Sequence, residues 1–291
     1  WIADADAVVV LDAIVPWIPK QHSLADDCKV IQIGADPLFG DLPMRSYAAD
    51  IAIAADVAAS VEALSAALGE RGVDQAKATA ARRQAIIEHN AKRLEEKRAS
   101  IEAGRGTPMS SSWISHCLDQ VKGDDAIVFG ELGCDPDAMT FAKPGSYFSH
   151  SLAGGLGWGL PAALGAQLAD RDRLVIAAVG DGSYMFANPV ACHQVGEALG
   201  LPVLTVVFNN GVWNAVRKST RAVYPEGFAA RSNRMPLASL EPSPAYEKIV
   251  EASGGYGERV ETSDELPKAL ERALHAVRKE KRQALLNIRC S

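Results

Sequence analysis

The sequence predicts an α/β fold in which parallel sheets are flanked by helices. Three observations carry this. Apolar blocks too short for helices recur along the 291 residues and read as strands buried on both faces. Longer segments between them place apolar residues at helical spacing. The two kinds of segment alternate, which is the pattern that crossover-connected parallel strands produce.

In chain order, the first strand is predicted over Ala7–Leu11 and the second over Val30–Ile33, which runs into Gly34-Ala35-Asp36-Pro37. A third is predicted within Asp50–Asp56, before a helix in which Val57, Val61, Leu64 and Leu68 share one face. These residues read as part of an α/β layer, too short for a doubly wound domain of five or six strands. Residues 74–100 are rich in Ala, Arg, Lys and Glu and lack Gly and Pro, so a long solvated linker helix is expected. Acidic residues interrupt its basic ones, which argues against a nucleic-acid arm. The stretch Gly104–Ser111, GRGTPMSS, marks a boundary. Beyond it, strands are predicted over Ala126–Gly130, Leu174–Gly180, Leu201–Asn210 and Gln283–Cys290. Helices are predicted over Gly155–Ala169 and Ser263–Lys279, the latter opening on cap-like residues.

Composition narrows the function. Hydrophobic residues make up 48% and charged residues 23%, ordinary for a globular protein. A net charge of −6 gives no electrostatic reason to expect nucleic acid or an anionic membrane as partner. No apolar run reaches the roughly 18 residues that would span a bilayer. Cys28, Cys117, Cys134, Cys192 and Cys290 are scattered, odd in number and never spaced CxxC, which suggests neither a disulfide framework nor a thiolate zinc site and fits a reducing cytoplasm. Small-molecule chemistry is what remains.

In an open parallel sheet, ligands bind beyond the carboxyl ends of the strands. Asp181 follows one predicted strand, inside a Gly180-Asp181-Gly182-Ser183 turn, and Asn209-Asn210 follows the next. A carboxylate and an amide carbonyl are hard oxygen donors suited to Mg²⁺ or Ca²⁺, especially when phosphate oxygens complete the shell. The flanking glycines permit close backbone approach, and N–H groups at the start of the following helix suit a phosphate. Each piece alone is an ordinary turn or loop start. Together, with a helix and an apolar strand between them, they form the signature of thiamine-diphosphate enzymes, which this sequence resembles over essentially its whole length. The resemblance is to the acetolactate synthase and benzoylformate decarboxylase branch. The rival dinucleotide fingerprint is not met, because GGLGWG precedes no suitable acidic strand end.

The resemblance implies residues 1–73 as the C-terminal part of a middle α/β domain, 74–106 as a linker helix and 107–291 as the diphosphate-binding domain. The pyrimidine-binding domain is absent, and with it the glutamate that activates the aminopyrimidine. Asp181, Asn210 and the carbonyl of Val212 would hold Mg²⁺, and Gly182 and Ser183 would meet the diphosphate. Glu131 and Leu132 fall where relatives contact the cofactor. A carboxylate beside phosphate is unfavourable unless it meets a donor, so a helix-start role for Glu131 stands as the alternative. Leu156 corresponds to the apolar prop beneath the bent cofactor, and the Gly154 carbonyl to the acceptor for its exocyclic amine. Trp213 walls the site, Ala215 and Val216 line the substrate pocket, and His150 is placed at the mouth as a proton donor. The remaining histidines, His193 among them, have no constellation around them.

The activity implied is thiamine diphosphate- and Mg²⁺-dependent decarboxylation of a 2-oxo acid with transfer of the acyl unit to a second carbonyl. The alternatives are a simple 2-oxo acid decarboxylase releasing an aldehyde and a noncatalytic assembly module. Asn214-Ala215-Val216 is nearer the Gly-Ala-Leu of the decarboxylases than the Gly-Met-Val of the synthases. Residues 221–246 match neither and are expected to form a lid or a subunit contact. The resemblance further implies a homodimer or homotetramer in which another subunit's pyrimidine-binding domain completes the site. FAD is left open.

Overall fold

A computed structural model describes residues 1–42, 47–70, 76–149 and 154–291, which form two compact units, Trp1–Ile87 and Glu88–Ser291. In the first, β1 (Ala7–Leu11), β2 (Lys29–Gly34) and β3 (Ile51–Ala54) make a parallel sheet in the order β1-β2-β3, followed by α1 (Val57–Glu70). Burial on both faces, expected from the apolar blocks, holds only for the central strand. β2 buries Val30, Gln32 and Ile33, whereas β1 buries Val10 alone and β3 and α1 bury nothing. Three strands and one helix supply too little apolar area to cover two sheet faces, so Val9, Leu11, Ile51 and Ile53 remain exposed. The predicted polar helix is α2 (Ala76–Ala103), and the division between units falls inside it. Its described side chains are solvated until Ile101, which enters the core of the second unit.

The second unit begins with α3 (Ser111–Lys122), whose N-terminus is capped by the Ser110 hydroxyl accepting from the Trp113 N–H at 3.1 Å. There follow β4 (Ile127–Glu131), β5 (Tyr147–Ser149), α4 (Gly159–Ala169), β6 (Val175–Gly180), α5 (Asp181–Phe186) and α6 (Pro189–Ala198). Then come β7 (Leu204–Asn209), α7 (Asn214–Val223), α8 (Phe228–Ser232), α9 (Tyr246–Glu251), β8 (Tyr256–Val260), α10 (Leu266–Arg278) and β9 (Ala284–Arg289). The six strands are all parallel, in the order β5-β4-β6-β7-β9-β8.

Alternation along the strands divides the core in two. Ile176 and Ala178 of β6 pack with Ile114 and Leu118 of α3 and Leu270 and Leu274 of α10. Val175, Ala177 and Val179 face the other way, among Leu160 and Leu164 of α4, Tyr184 of α5 and Val250 of α9. Two buried polar groups are built into these layers. Lys122, 5% exposed, donates to the Thr140 carbonyl at 2.6 Å and pairs with Asp119 at 2.9 Å. His193 is fully buried, with Nε2 2.8 Å from the Tyr184 hydroxyl and Nδ1 2.9 Å from Gln283 Oε1. Burial holds its pKa below the ordinary histidine value.

All five cysteines are free thiols. Among the described residues, no helix is long and apolar enough to cross a membrane.

The strand order fixes where a ligand fits. From β4 the chain steps outward to the edge strand β5, then crosses back to place β6 on β4's other side. The loops leaving β4 and β6 therefore diverge, and a crevice opens beyond their carboxyl ends.

Candidate functional site

A cleft of about 350 Å³ occupies this crevice, and the tips of β4, β6 and β7 line it. From β4 come Leu132, Gly133 and Cys134; from β6, Asp181, Gly182 and Ser183; from β7 onward, Asn210 and Val212 to Val216. Gly133 is required by the crossing itself. A Cβ there would lie 2.8 and 2.9 Å from the backbone of Val179 and Gly180, so any other residue would push the β4 exit off β6. Burial raises the pKa of the neighbouring Cys134 thiol to about 11.

Asp181 is not in a turn. The expected Gly-Asp-Gly-Ser turn is replaced by a direct junction, in which β6 ends at Gly180 and α5 begins at Asp181. The Asp181 side chain is 2% exposed. One carboxylate oxygen accepts from the Gly182 N–H at 2.8 Å, and the other from the Gly211 N–H at 2.7 Å. Burial pushes its pKa up, and these backbone donors act against that push. No salt bridge reaches Asp181 among the described residues. A buried carboxylate with no cationic side chain to offset it thus stands at the floor of the cleft.

The two asparagines that follow have different environments. Asn209 is buried in a network, with its amide nitrogen donating to Ser243 Oγ at 2.8 Å and to Asn287 Oδ1 at 2.9 Å. Asn210 lines the cleft, and its Oδ1 accepts from the Val212 N–H at 3.0 Å. One carboxylate, one amide oxygen and the backbone at Val212 thus border the same space. Among the described residues, no three His, Cys, Asp or Glu side chains gather in metal-binding geometry. A cation here would therefore be held by a mixed set of hard oxygens, and a ligand would supply the rest.

The Trp213 indole packs over Gly182 and lies 5.0 Å from the Phe186 ring, between centroids. Leu156 also lines the cleft, though not from a helix. The predicted start of α4 at Gly155 moves to Gly159, leaving Leu156 in the preceding turn. There Gly157, at φ +91°, passes against the Phe186 and Ala187 backbone with no room for a side chain.

Two predicted residues lie elsewhere. Glu131 is 1% exposed and turns away from the cleft, accepting from the N–H groups of Gly157 at 2.5 Å and Gly159 at 2.6 Å. It is a carboxylate at the start of α4, the alternative role the sequence left open for it, and both of its oxygens serve α4. Gly154 is exposed at φ +67° and does not line the cleft. His150 lies outside the described residues. Sequence reasoning missed Ser111, Cys134, Asn214 and Lys218, all of which line the cleft. None had a motif around it, although Asn214 sits within the segment already singled out.

Residues 132–288 match the family described as thiamine pyrophosphate enzyme, C-terminal TPP binding domain. An acetolactate synthase of Mycobacterium avium is 27% identical over 162 residues, 54% of this chain and 25% of that protein. A sulfoacetaldehyde acetyltransferase of Rhodobacter capsulatus is 26% identical over 264 residues, 84% of this chain and 42% of that protein. Among solved structures, a thiamine diphosphate-dependent 4-hydroxybenzoylformate decarboxylase of Rhodococcus jostii superposes with a TM-score of 0.55 at 28% identity. That match covers 64% of this chain and 33% of the other. The chain thus spans less than half the length of these relatives.

Proposed function

Because the chain belongs to the thiamine pyrophosphate enzymes, through their C-terminal TPP binding domain, we propose that it serves a Mg²⁺-assisted decarboxylation of a 2-oxo acid. In this reading the acyl unit then passes to a second carbonyl, as in an acetolactate synthase. The observation that carries the reading is the buried Asp181 carboxylate at the tip of β6, beside Asn210 at the tip of β7, on the floor of the switch-point cleft. Asp181, Asn210 and the Val212 carbonyl hold the cation. Gly182 and Ser183 present the first turn of α5 to the diphosphate.

When bound, the thiazolium ring supplies the electron sink for loss of carbon dioxide. The chain supplies position and surroundings. Leu156 supports the cofactor from below. Trp213 walls the diphosphate end, and His150 serves proton transfer. Ala215 and Val216 form an apolar pocket wall, which favours a step in which charge is lost.

Residues 1–73 act in this reading as part of a middle domain and 74–106 as the connection to the diphosphate domain. A pyrimidine-binding domain of another subunit completes the site, in a homodimer or homotetramer. Similarity to a synthase and an acetyltransferase supports transfer as the outcome. A second reading, release of an aldehyde, is favoured by Ala215 in the pocket wall and by the decarboxylase among the structural matches.

The deciding experiment incubates the whole polypeptide with thiamine diphosphate, Mg²⁺ and a panel of 2-oxo acids, following carbon dioxide, aldehyde and ketol together. Ketol supports transfer and aldehyde alone supports the second reading. Bound cofactor with no turnover would leave an assembly role.

A further inference from the structure

Lys218 lines the cleft, and among the described residues it is the one cationic side chain that does so. It also borders an adjoining hollow of about 390 Å³, whose wall includes Arg221. Both side chains project from α7, which carries Arg217, Lys218 and Arg221 and no acidic residue, in a chain whose net charge is −6. Arg217 is engaged, donating to Asn233 Oδ1 at 2.6 Å. Lys218 and Arg221 make no hydrogen bond or ion pair among the described residues. Among the described residues the one acidic side chain lining the cleft, Asp181, lies at its floor with both oxygens accepting from backbone N–H groups.

An exposed lysine ordinarily needs no explanation. This one stands one turn beyond Asn214 and Ala215 and borders both hollows. A cation there does not suit the carboxylate that departs. Pairing with it would stabilise the ground state through a charge that disappears on the way to the transition state, and so slow the step. The pair is favourable only for an acidic group that keeps its charge throughout.

We infer that Lys218, with Arg221 behind it, is a specificity-determining pair for a substrate bearing a second acidic group that survives the reaction. The inference rests on the 2-oxo acid reading above. The retained group is a carboxylate, sulfonate or phosphate, carried either on the tail of the donor or on the acceptor. Each exposed pair contributes modestly and is screened by salt, so the expected effect is about two- to fivefold per cation.

The test uses the whole polypeptide loaded with thiamine diphosphate and Mg²⁺, with cofactor retention measured first by calorimetry. Donors of matched length are 2-oxoglutarate and 2-oxopentanoate. The expected result is a kcat/KM about four- to twentyfold higher for 2-oxoglutarate at low ionic strength, narrowing in high salt. Lys218→Gln should remove about two- to fivefold of this through KM, leaving 2-oxopentanoate unchanged, and Lys218→Glu should invert the preference. If the acidic group belongs to the acceptor, Lys218→Gln lowers ketol formation with a 2-oxo acid acceptor and spares it with an aldehyde acceptor. A variant that loses both donors and both acceptors alike, or changes none, overturns the inference while cofactor retention upholds the family reading. Failure of the wild type to retain the cofactor overturns both.

Discussion

The Trp213 indole lies across Gly182 at the first turn of α5, so closely that a Cβ at position 182 would overlap its Cε3 and Cζ3 atoms. The second glycine of the Gly-Asp-Gly motif is thus explained by packing before any ligand is considered. Gly182→Ala is expected to cost about 1–3 kcal/mol through overpacking. Most of that should disappear in the double variant with Trp213→Ala, because the clash needs both partners. Urea unfolding of the four species closes the cycle, and additive costs would show that the indole simply moves aside.

Asp181→Asn keeps the shape of the side chain and removes its charge. Retention of thiamine diphosphate with Mg²⁺ should fall about 100-fold, the scale of losing a charged ligand. Thermal stability should fall by only about 1–3 kcal/mol, because relief of a charge buried without a cationic side chain offsets part of the cost of turning an amide NH2 toward the Gly182 or Gly211 N–H. Equilibrium dialysis and a melting curve on the same sample separate the two effects.

Glu131 makes the opposite prediction. Its oxygens serve the Gly157 and Gly159 N–H groups, so Glu131→Ala leaves two buried donors without partners and should cost roughly 2–5 kcal/mol of stability. Cofactor affinity should then fall only as far as α4 and Leu156 shift. A variant that unfolds like the wild type yet fails to bind would return Glu131 to the cofactor.

His193 gives the fold an acid-sensitive element. Its folded pKa is depressed by burial. As pH drops below about 6.5, the unfolded chain therefore takes up a proton that the folded chain refuses. Its contribution is full above that pH and is lost progressively down to the folded pKa. His193→Gln should flatten the stability-against-pH curve over that interval, as measured by denaturant midpoints from pH 7.5 to 5.

The strands that carry the site were legible because each is an apolar block of five or six residues ending in Gly, Glu or Asn. So were α2, from its unbroken polar composition, and the pairing of Asp181 with Asn210 at adjacent strand tips. β5 was not, because Tyr147-Phe148-Ser149 is too short to show a period. Nor was β8, where Gly257, Glu258 and Arg259 interrupt the apolar pattern of an edge strand. Burial of β1 and β3 was overestimated because an apolar strand says nothing about whether another layer covers it. Lys218 escaped for a related reason. Its sequence neighbours mark it as an ordinary helix-surface cation, and only the cleft beside it distinguishes it.

Asn209, adjacent to Asn210 but facing the core, has a consequence for how the cleft receives a ligand. Its amide joins β7 to Asn287 of β9, which in turn donates to Glu247 of α9 at 2.7 Å, and Ser243 closes the ring from the preceding loop. The residue that presents a donor to the cleft therefore inherits its position from a rigid sheet, not from a mobile loop. A ligand arriving there meets a preorganised host, and little configurational freedom is surrendered on capture.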